Sequence, residues 1–249
     1  MTRRLHFTVS GRGKSNGEHV LQFLAKAYRG IPIALVDSVF GFVERSPLYG
    51  GRIFEGAELT PRDVECLYDV GIGVRIPFTN HYAEPEDYDA SLAVLEKYHR
   101  PGNAVIITND ALAGWIRRDF PRYRIEASVI KNLKSYDRIA AALDMYDTAV
   151  LPMEFSENTQ FLEGLPQKDR ITLFANAGCG LTCPSHICYP SISKFNKNGE
   201  GELLCSQPIK KREMRGVIEF DLGPLQDLGF SRFKVLTPHR ATAQEPAQA

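Results

Sequence analysis

Short apolar runs rich in β-branched residues recur along the chain and alternate with segments of helical spacing. The runs are LHFTVS (5–10), IPIALVDS (31–38), GVRIPFTN (73–80), NAVIITN (103–109), YRIEASVI (123–130), TAVLPMEF (148–155), RITLFAN (170–176) and FSRFKVL (230–236). Their length and composition predict strands. Between them, NGEHVLQFLAKAYR (16–29), TPRDVECLYDVG (60–71), EPEDYDASLAVLEKYHR (84–100), DALAGWIRRDF (110–120), SYDRIAAALDMY (135–146) and NTQFLEGLP (158–166) predict helices. Asn16, Thr60 followed by Pro61, Asp110 and Ser135 stand at the helix starts, where a side-chain oxygen can accept from an orphan amide of the first turn.

Strand and helix alternating along the whole chain imply parallel strands with helices outside. Eight strands in 249 residues are what a closed barrel uses. The predicted fold is therefore α/β, a single (β/α)8 TIM-like barrel over residues 1–240 with a parallel sheet and outer helices; an open doubly wound sheet is the alternative. Residues 241–249, ATAQEPAQA, have nothing to bury and predict a disordered tail. Two stretches exceed a minimal unit: the glycine-containing loop 39–59 and the polar excursion 192–216. Long loops in a compact domain are often functional.

Composition narrows the setting. The chain is 43% hydrophobic, enough for a substantial core, and 30 basic residues balance 30 acidic ones. That balance gives no global basic field, so nucleic-acid binding is not expected. No run approaches the roughly eighteen apolar residues of a membrane span, and the polar N-terminus does not read as a signal peptide. The expectation is a cytoplasmic protein with a small-molecule substrate.

Three strands end in asparagine: Asn80, Asn109 and Asn176. In a barrel those ends share the face on which active sites are built, so the three predict a ring of neutral groups around a polar ligand. Asparagine is also a common way to leave a strand, because it tolerates turn conformations. SGRGKSNG (10–17) fails as a phosphate loop, since the glycine required five positions before Gly13-Lys14 is Thr8. It remains a loop whose amides could hold an anion. In YGGRIF (49–54), two glycines allow close backbone approach and Arg52 could clamp a carboxylate or phosphate. The acidic HYAEPEDYD (81–89) reads as a solvated loop and helix start, with His81 a weak candidate acid or base.

Three of the five cysteines lie within ANAGCGLTCPSHICYPS (175–191) and a fourth in ELLCSQ, giving the spacing C-x3-C-x4-C-x16-C for Cys179, Cys183, Cys188 and Cys205. Disulfides are rare inside cells and the cysteine count is odd, so reduced thiols are expected. Structural zinc usually shows paired C-x2-C knuckles, which are absent. Cluster-binding thiolates are more variable in spacing, and the pattern is not the C-x3-C-x2-C of radical-SAM enzymes. An iron–sulfur cluster, a zinc ion and metal-free thiols all stay open on spacing alone. Pro184 predicts a short helix PSHICY with Cys183 at its cap, and His186 is near enough to substitute as a ligand. Cys66, in the helix around RDVECLYDVG, reads as an ordinary buried small hydrophobe.

LFANAGCGLTCPSHICYPS together with DLGPLQDLGFSRFKVL (221–236) resembles the collagenase-like "peptidase" barrels, whose better-understood members are iron–sulfur proteins of oxygen-independent ubiquinone and RNA hydroxylation. Within that group the chain is most similar to uncharacterised bacterial barrels with N-x-x-C-x-x-x-C-P after a late strand. Fainter similarity runs through LHFTVS, the GGR loop at 50–52, FTN, ITND and the closing Gly229, Phe233 and Lys234. The resemblance implies an iron–sulfur cluster, most simply 4Fe-4S, held by Cys179, Cys183, Cys188 and Cys205. Beside it would lie a cavity with Lys131, Glu154 and Asn176 as catalytic residues and Arg52, Asn80 and Asn109 binding substrate. It further implies an oxidoreductase or hydroxylase component acting on a small or aromatic substrate, with a second barrel protein as a partner. A zinc-containing hydrolytic or structural barrel and a non-catalytic partner subunit are the alternatives.

Overall fold

The computed structural model describes residues 4–207 and 218–238. Its eight parallel strands close in chain order: β1 (His6–Ser10), β2 (Val36–Phe40), β3 (Gly73–Ile76), β4 (Ala104–Ile107), β5 (Arg124–Ala127), β6 (Thr148–Val150), β7 (Ile171–Phe174) and β8 (Arg232–Val235), with β8 paired back on β1. Closure excludes the open sheet. Seven of the expected runs contain their strands, whereas β2 begins late and runs two residues past the expected end at Ser38. Pro32 fixes its own φ, and a 3-10 turn over Ile33–Leu35, closed by Leu35 N–H to Pro32 O at 2.9 Å, takes up the start of that run.

The outer helices are α1 (Val20–Ala27), α2 (Pro61–Asp69), α3 (Pro85–Asp89), α4 (Leu92–Lys97), α5 (Asp110–Asp119), α6 (Tyr136–Met145), α7 (Thr159–Glu163), α8 (Cys188–Asn198) and α9 (Gly223–Asp227). Thr60 forms a reciprocal capping box with Asp63, and Ser135 caps α6 as expected. Three helix starts differ from expectation. α1 is capped by His19, whose Nδ1 accepts from the Leu21 amide, because Gly17 at φ +81° keeps the chain from Asn16 out of the helix. Asn109, not Asp110, caps α5 and accepts from the Ala111 and Leu112 amides. The segment 84–100 splits at Ala90–Ser91, where the Ser91 hydroxyl is taken by Asp87 O and Ser46 Oγ, both at 2.8 Å. Such side-chain bonds compete with a continuous helix.

Strand alternation sorts the core into two chemistries. Val9, Val39, Val74, Val105, Ile125, Leu173 and Phe233 are fully buried in the main apolar cluster with the helices, each contributing roughly 1.5–3 kcal/mol of burial. The alternate positions make a polar interior. Thr8 and Ser38 lie 3.1 Å apart, Arg75 Nε donates to Ser38 Oγ at 2.6 Å, and its guanidinium also reaches Asp37 at 3.0 Å and Glu126. Lys234 Nζ donates to the other oxygen of Glu126 at 3.3 Å, and Thr148 Oγ1 donates to its first at 3.4 Å. Burial alone would raise the Glu126 carboxyl, but the Arg75 and Lys234 charges outweigh it and hold the group below the usual carboxylate range. A fully buried carboxylate is tolerable only with such pairing.

At the C-terminal face a smaller apolar cluster of Val150, Met153, Phe174, Ala177 and Phe220 fills the β6–β8 side. Residues 175–177 are roofed there by Ile218–Phe220 through Ala177 N–H to Ile218 O at 2.8 Å and Phe220 N–H to Ala175 O at 2.9 Å. Among the described residues no helix is long and apolar enough to cross a membrane. The tail expected to be disordered, 241–249, lies outside the described residues, as does part of the polar excursion expected after Ser191.

Candidate functional site

The chain leaves β7 through Ala175 and Asn176. The Asn176 amide locks to the strand end of β8, donating to Leu236 O and accepting from Leu236 N–H, each at 2.8 Å. Gly178 then donates to Met153 Sδ at 3.1 Å, which lays the 3-10 turn Cys179–Thr182 over the smaller apolar cluster. The helix expected over PSHICY does not form there. Cys183 sits on an extended backbone, His186 takes a left-handed φ of 51°, and α8 starts only at Cys188, so Cys188 rather than Cys183 opens a helix.

The Cys183 thiol is surrounded by hydrogen-bonding groups: Ser206 Oγ lies 3.5 Å away and the His186 amide donates to it at 3.4 Å. Burial pushes this thiol up, but those bonds outweigh it and bring it below its ordinary value. Cys205 arrives from the other side. Its sulfur accepts from the Gln207 amide at 3.4 Å, while the buried Gln207 side chain donates to Cys179 O at 3.1 Å and to Thr182 Oγ1 at 3.3 Å. Cys188 is pushed up to about 11, first by burial and then by the charges of Cys179, Cys183 and Cys205. The four thiols thus share one electrostatic neighbourhood, assembled from two segments by Gln207 and Ser206. Among the described residues no three His, Cys, Asp or Glu side chains are already set around a common point for a metal ion. In donor chemistry the set fits a soft, cationic group; in geometry, the sulfurs must close on it.

Cys66 is apart from this group, as expected, but it is half-buried rather than buried, with His19 Nε2 at 3.8 Å from its sulfur.

The loop after β2 crosses the C-terminal face. At Gly50 a Cβ would fall 2.4 Å from Thr79 O and 2.8 Å from Ser193 Oγ, so the loop lies on the β3 end with no room for a side chain; Gly51 follows at φ +75°. Arg52 has its anionic partner within the chain: it pairs with Glu58 and its guanidinium carbon stands 4.3 Å above the Phe42 ring. A cleft of about 880 Å³ opens beside it, bounded by Ser10, Arg12, Tyr28, Phe40, Arg52, Asn176, Phe220 and Leu236 among others. Burial pushes the Tyr28 phenol up to about 12 against its hydrogen bonds to Thr237 and Ser10.

Of the expected catalytic and substrate-binding residues, Arg52 and Asn176 border this cleft and the rest lie outside its lining. Asn80 is wholly buried, donating to Pro47 O at 2.7 Å and Ser193 O at 3.0 Å and accepting from the Tyr82 amide at 2.8 Å. Asn109 caps α5 and reaches Ala83 O at 3.3 Å. The three asparagines share one rim, and each amide is engaged by backbone of the neighbouring loops. Lys131 donates to Asp110 at 2.6 Å and Thr108 O at 3.1 Å, whereas Glu154 pairs with Lys134 at 2.7 Å on a more exposed patch. His81 Nδ1 faces Ser193 Oγ at 3.2 Å, and burial lowers its pKa.

Two groups of residues were missed by reading the sequence. Arg75, Glu126 and Lys234, the last noted only in the closing-strand resemblance and given no role, each interrupt an apolar strand with one charge, in VRI, IEA and FKV, and that interruption was the available signal. Ser193, Asn196 and Gln207, which fasten the cysteine segment, carry no local signal because their partners are distant in sequence.

No protein-family model matches the chain, and no curated protein matches it in sequence. Among solved structures it is similar to the U32 peptidase Mk0906, with a TM-score of 0.62 and 13% identity over 93% of this chain and 92% of that one. At that identity the likeness is one of fold: both chains share the barrel over almost their whole lengths.

Proposed function

We propose that this chain is an iron–sulfur barrel protein, an oxygen-independent hydroxylase or redox component whose cluster is held by Cys179, Cys183, Cys188 and Cys205. One observation carries the reading. Cys179, Cys183 and Cys205, from two separate segments beyond β7, each lie near enough to Cys188 for their charges to act on it, and the first of them follows by three residues an asparagine that borders the 880 Å³ cleft. Four thiolates brought together repel one another, and an iron–sulfur cluster relieves that repulsion while supplying electron transfer at the site. The chain's own residues would then take the substrate. The cleft has aromatic walls in Phe40, Phe220 and Tyr28 and polar groups in Arg52 and Asn176, which suits a small or aromatic molecule with one polar end.

The test is anaerobic purification followed by iron, zinc and acid-labile sulfide analysis with visible absorption. About four iron and four sulfide per chain with broad visible absorption are expected, and Ser at any of the four positions should remove most of the iron while Cys66→Ser should not. A colourless chain with stoichiometric zinc, or equal metal in all five variants, overturns the reading.

A further inference from the structure

Helix α8 joins the cysteine site to the mouth of the cleft, and it does so with polar side chains. Its buried residues are Ser191, Ser193 and Asn196, none of them apolar. At the first turn, the Ser191 hydroxyl donates to Cys188 O at 3.0 Å and accepts from the Leu204 amide at 3.2 Å, beside Cys205. One turn on, Ser193 O accepts from Asn80 at 3.0 Å and Ser193 Oγ accepts from the His81 amide at 3.3 Å. Asn196, about 12 Å along the axis from Cys188, donates to Tyr49 O at 3.2 Å and Arg52 O at 2.8 Å and accepts from the Phe54 amide at 2.9 Å. Lys197 adds a charge pair to Asp87 at 2.8 Å.

Two facts make this arrangement a linkage. The four sulfurs have to move to enclose a shared group, since no three metal-ligating side chains among the described residues are yet gathered. Cys188 is the first residue of the helix, so a backbone displacement there bears on the rod behind it. An apolar inner face would pin α8 by packing, whereas one of hydroxyls and amides has discrete partners that can be kept or exchanged.

We propose that α8 transmits the state of the cysteine site to the Arg52 loop, with Asn196 as the positioning residue: closure of the sulfurs draws on Cys188, and Ser193 and Asn196 carry the displacement to residues 49–54 at the cleft mouth. Whatever the site does to the loop, the loop must do in return to the site, because coupling between two sites is reciprocal.

The experiment uses the full chain and has two arms. In the first, the metal-free protein is alkylated with a maleimide and the rate at Cys188 is read by peptide mass spectrometry. Asn196→Ala should change that rate about fivefold or more, although residue 196 is far from the thiol. Asn196→Asp, which keeps the acceptor for Phe54 and loses both donations, should give a smaller change in the same direction. Equal rates in wild type and both variants overturn the linkage whether or not the site holds metal. The second arm compares hydrogen exchange over residues 47–54 before and after reconstitution with ferrous iron and sulfide under argon. Loading should shift exchange by about tenfold in wild type and far less in Asn196→Ala; loading without any shift overturns the proposal. The second arm alone rests on the iron–sulfur reading. A chain that takes up no iron refutes that reading and leaves the alkylation arm to decide the linkage.

Discussion

The barrel wall and the cysteine segment are held by different forces. Around the sheet, Val9, Val105, Leu173 and Phe233 disappear into one continuous apolar cluster, and the charges inside the barrel are matched by Arg75, Lys234 and Glu126. From Cys179 to Gln207 the buried residues of the helix are serines and an asparagine, the 3-10 turn buries none, and attachment rests largely on hydrogen bonds of Gln207, Asn80 and Asn196, with the Lys197–Asp87 pair and the half-buried Leu181 beside them. Apolar burial is non-directional and sums over area, whereas each hydrogen bond nets only about 0.5–1.5 kcal/mol. The wall is therefore held over a broad area and the segment by a few directional contacts.

The largest effect expected from this contrast is in global stability. Phe233→Ala should cost about 3–5 kcal/mol in urea unfolding, whereas replacing the four clustered cysteines with serine in the metal-free chain should cost less than about 1 kcal/mol each. Equal losses would break the distinction. A smaller effect separates the regions by pH. The folded Glu126 and Asp37 carboxyls lie below their ordinary values: burial opposes this in both, but Arg75 beside each, with Lys234 beside Glu126, prevails. The stability they contribute is complete above the unfolded carboxylate pKa of about 4 and is lost as pH falls through the lower folded values. Urea midpoints should accordingly drop below about pH 4, with the same acid limb in the four-serine variant. An acid limb that vanishes with the cysteines would relocate the titrating groups. The smallest effect concerns Glu154, which pairs with Lys134 where both remain well exposed. Glu154→Gln should change stability by less than about 0.5 kcal/mol and leave metal content unaltered; loss of bound iron would move Glu154 into the site.

Periodicity revealed the wall because its signals are local. A strand such as Ile171–Phe174 is written in four consecutive residues, and the box at Thr60 and Asp63 in four. Local reading erred where a neighbour competed: Pro32 delayed β2, Ser91 cut a helix in two, and Asn109 displaced Asp110 as a cap. For the site, spacing grouped Cys179, Cys183, Cys188 and Cys205, and bonds from Ser206 to Cys183 and from Gln207 to Cys179 O tie the Cys205 segment to the first two. It could not show that Asn80 is consumed by Pro47 and Ser193, or that Arg52 already has Glu58, since those partners are fixed only once the loops are folded.

The span of the Asn196 bonds bears on how the protein is made. Its partners Tyr49, Arg52 and Phe54 precede it by 147, 144 and 142 residues. A ribosome extending the chain at about 5–20 residues per second releases the β2 loop many seconds before the asparagine that will hold it, and Cys205 follows later still. During that interval the Arg52 loop has no such anchor, and Cys179, Cys183 and Cys188 have emerged without their fourth companion. Nascent chains stalled before and after residue 205 would therefore differ in the chemistry open to their thiols.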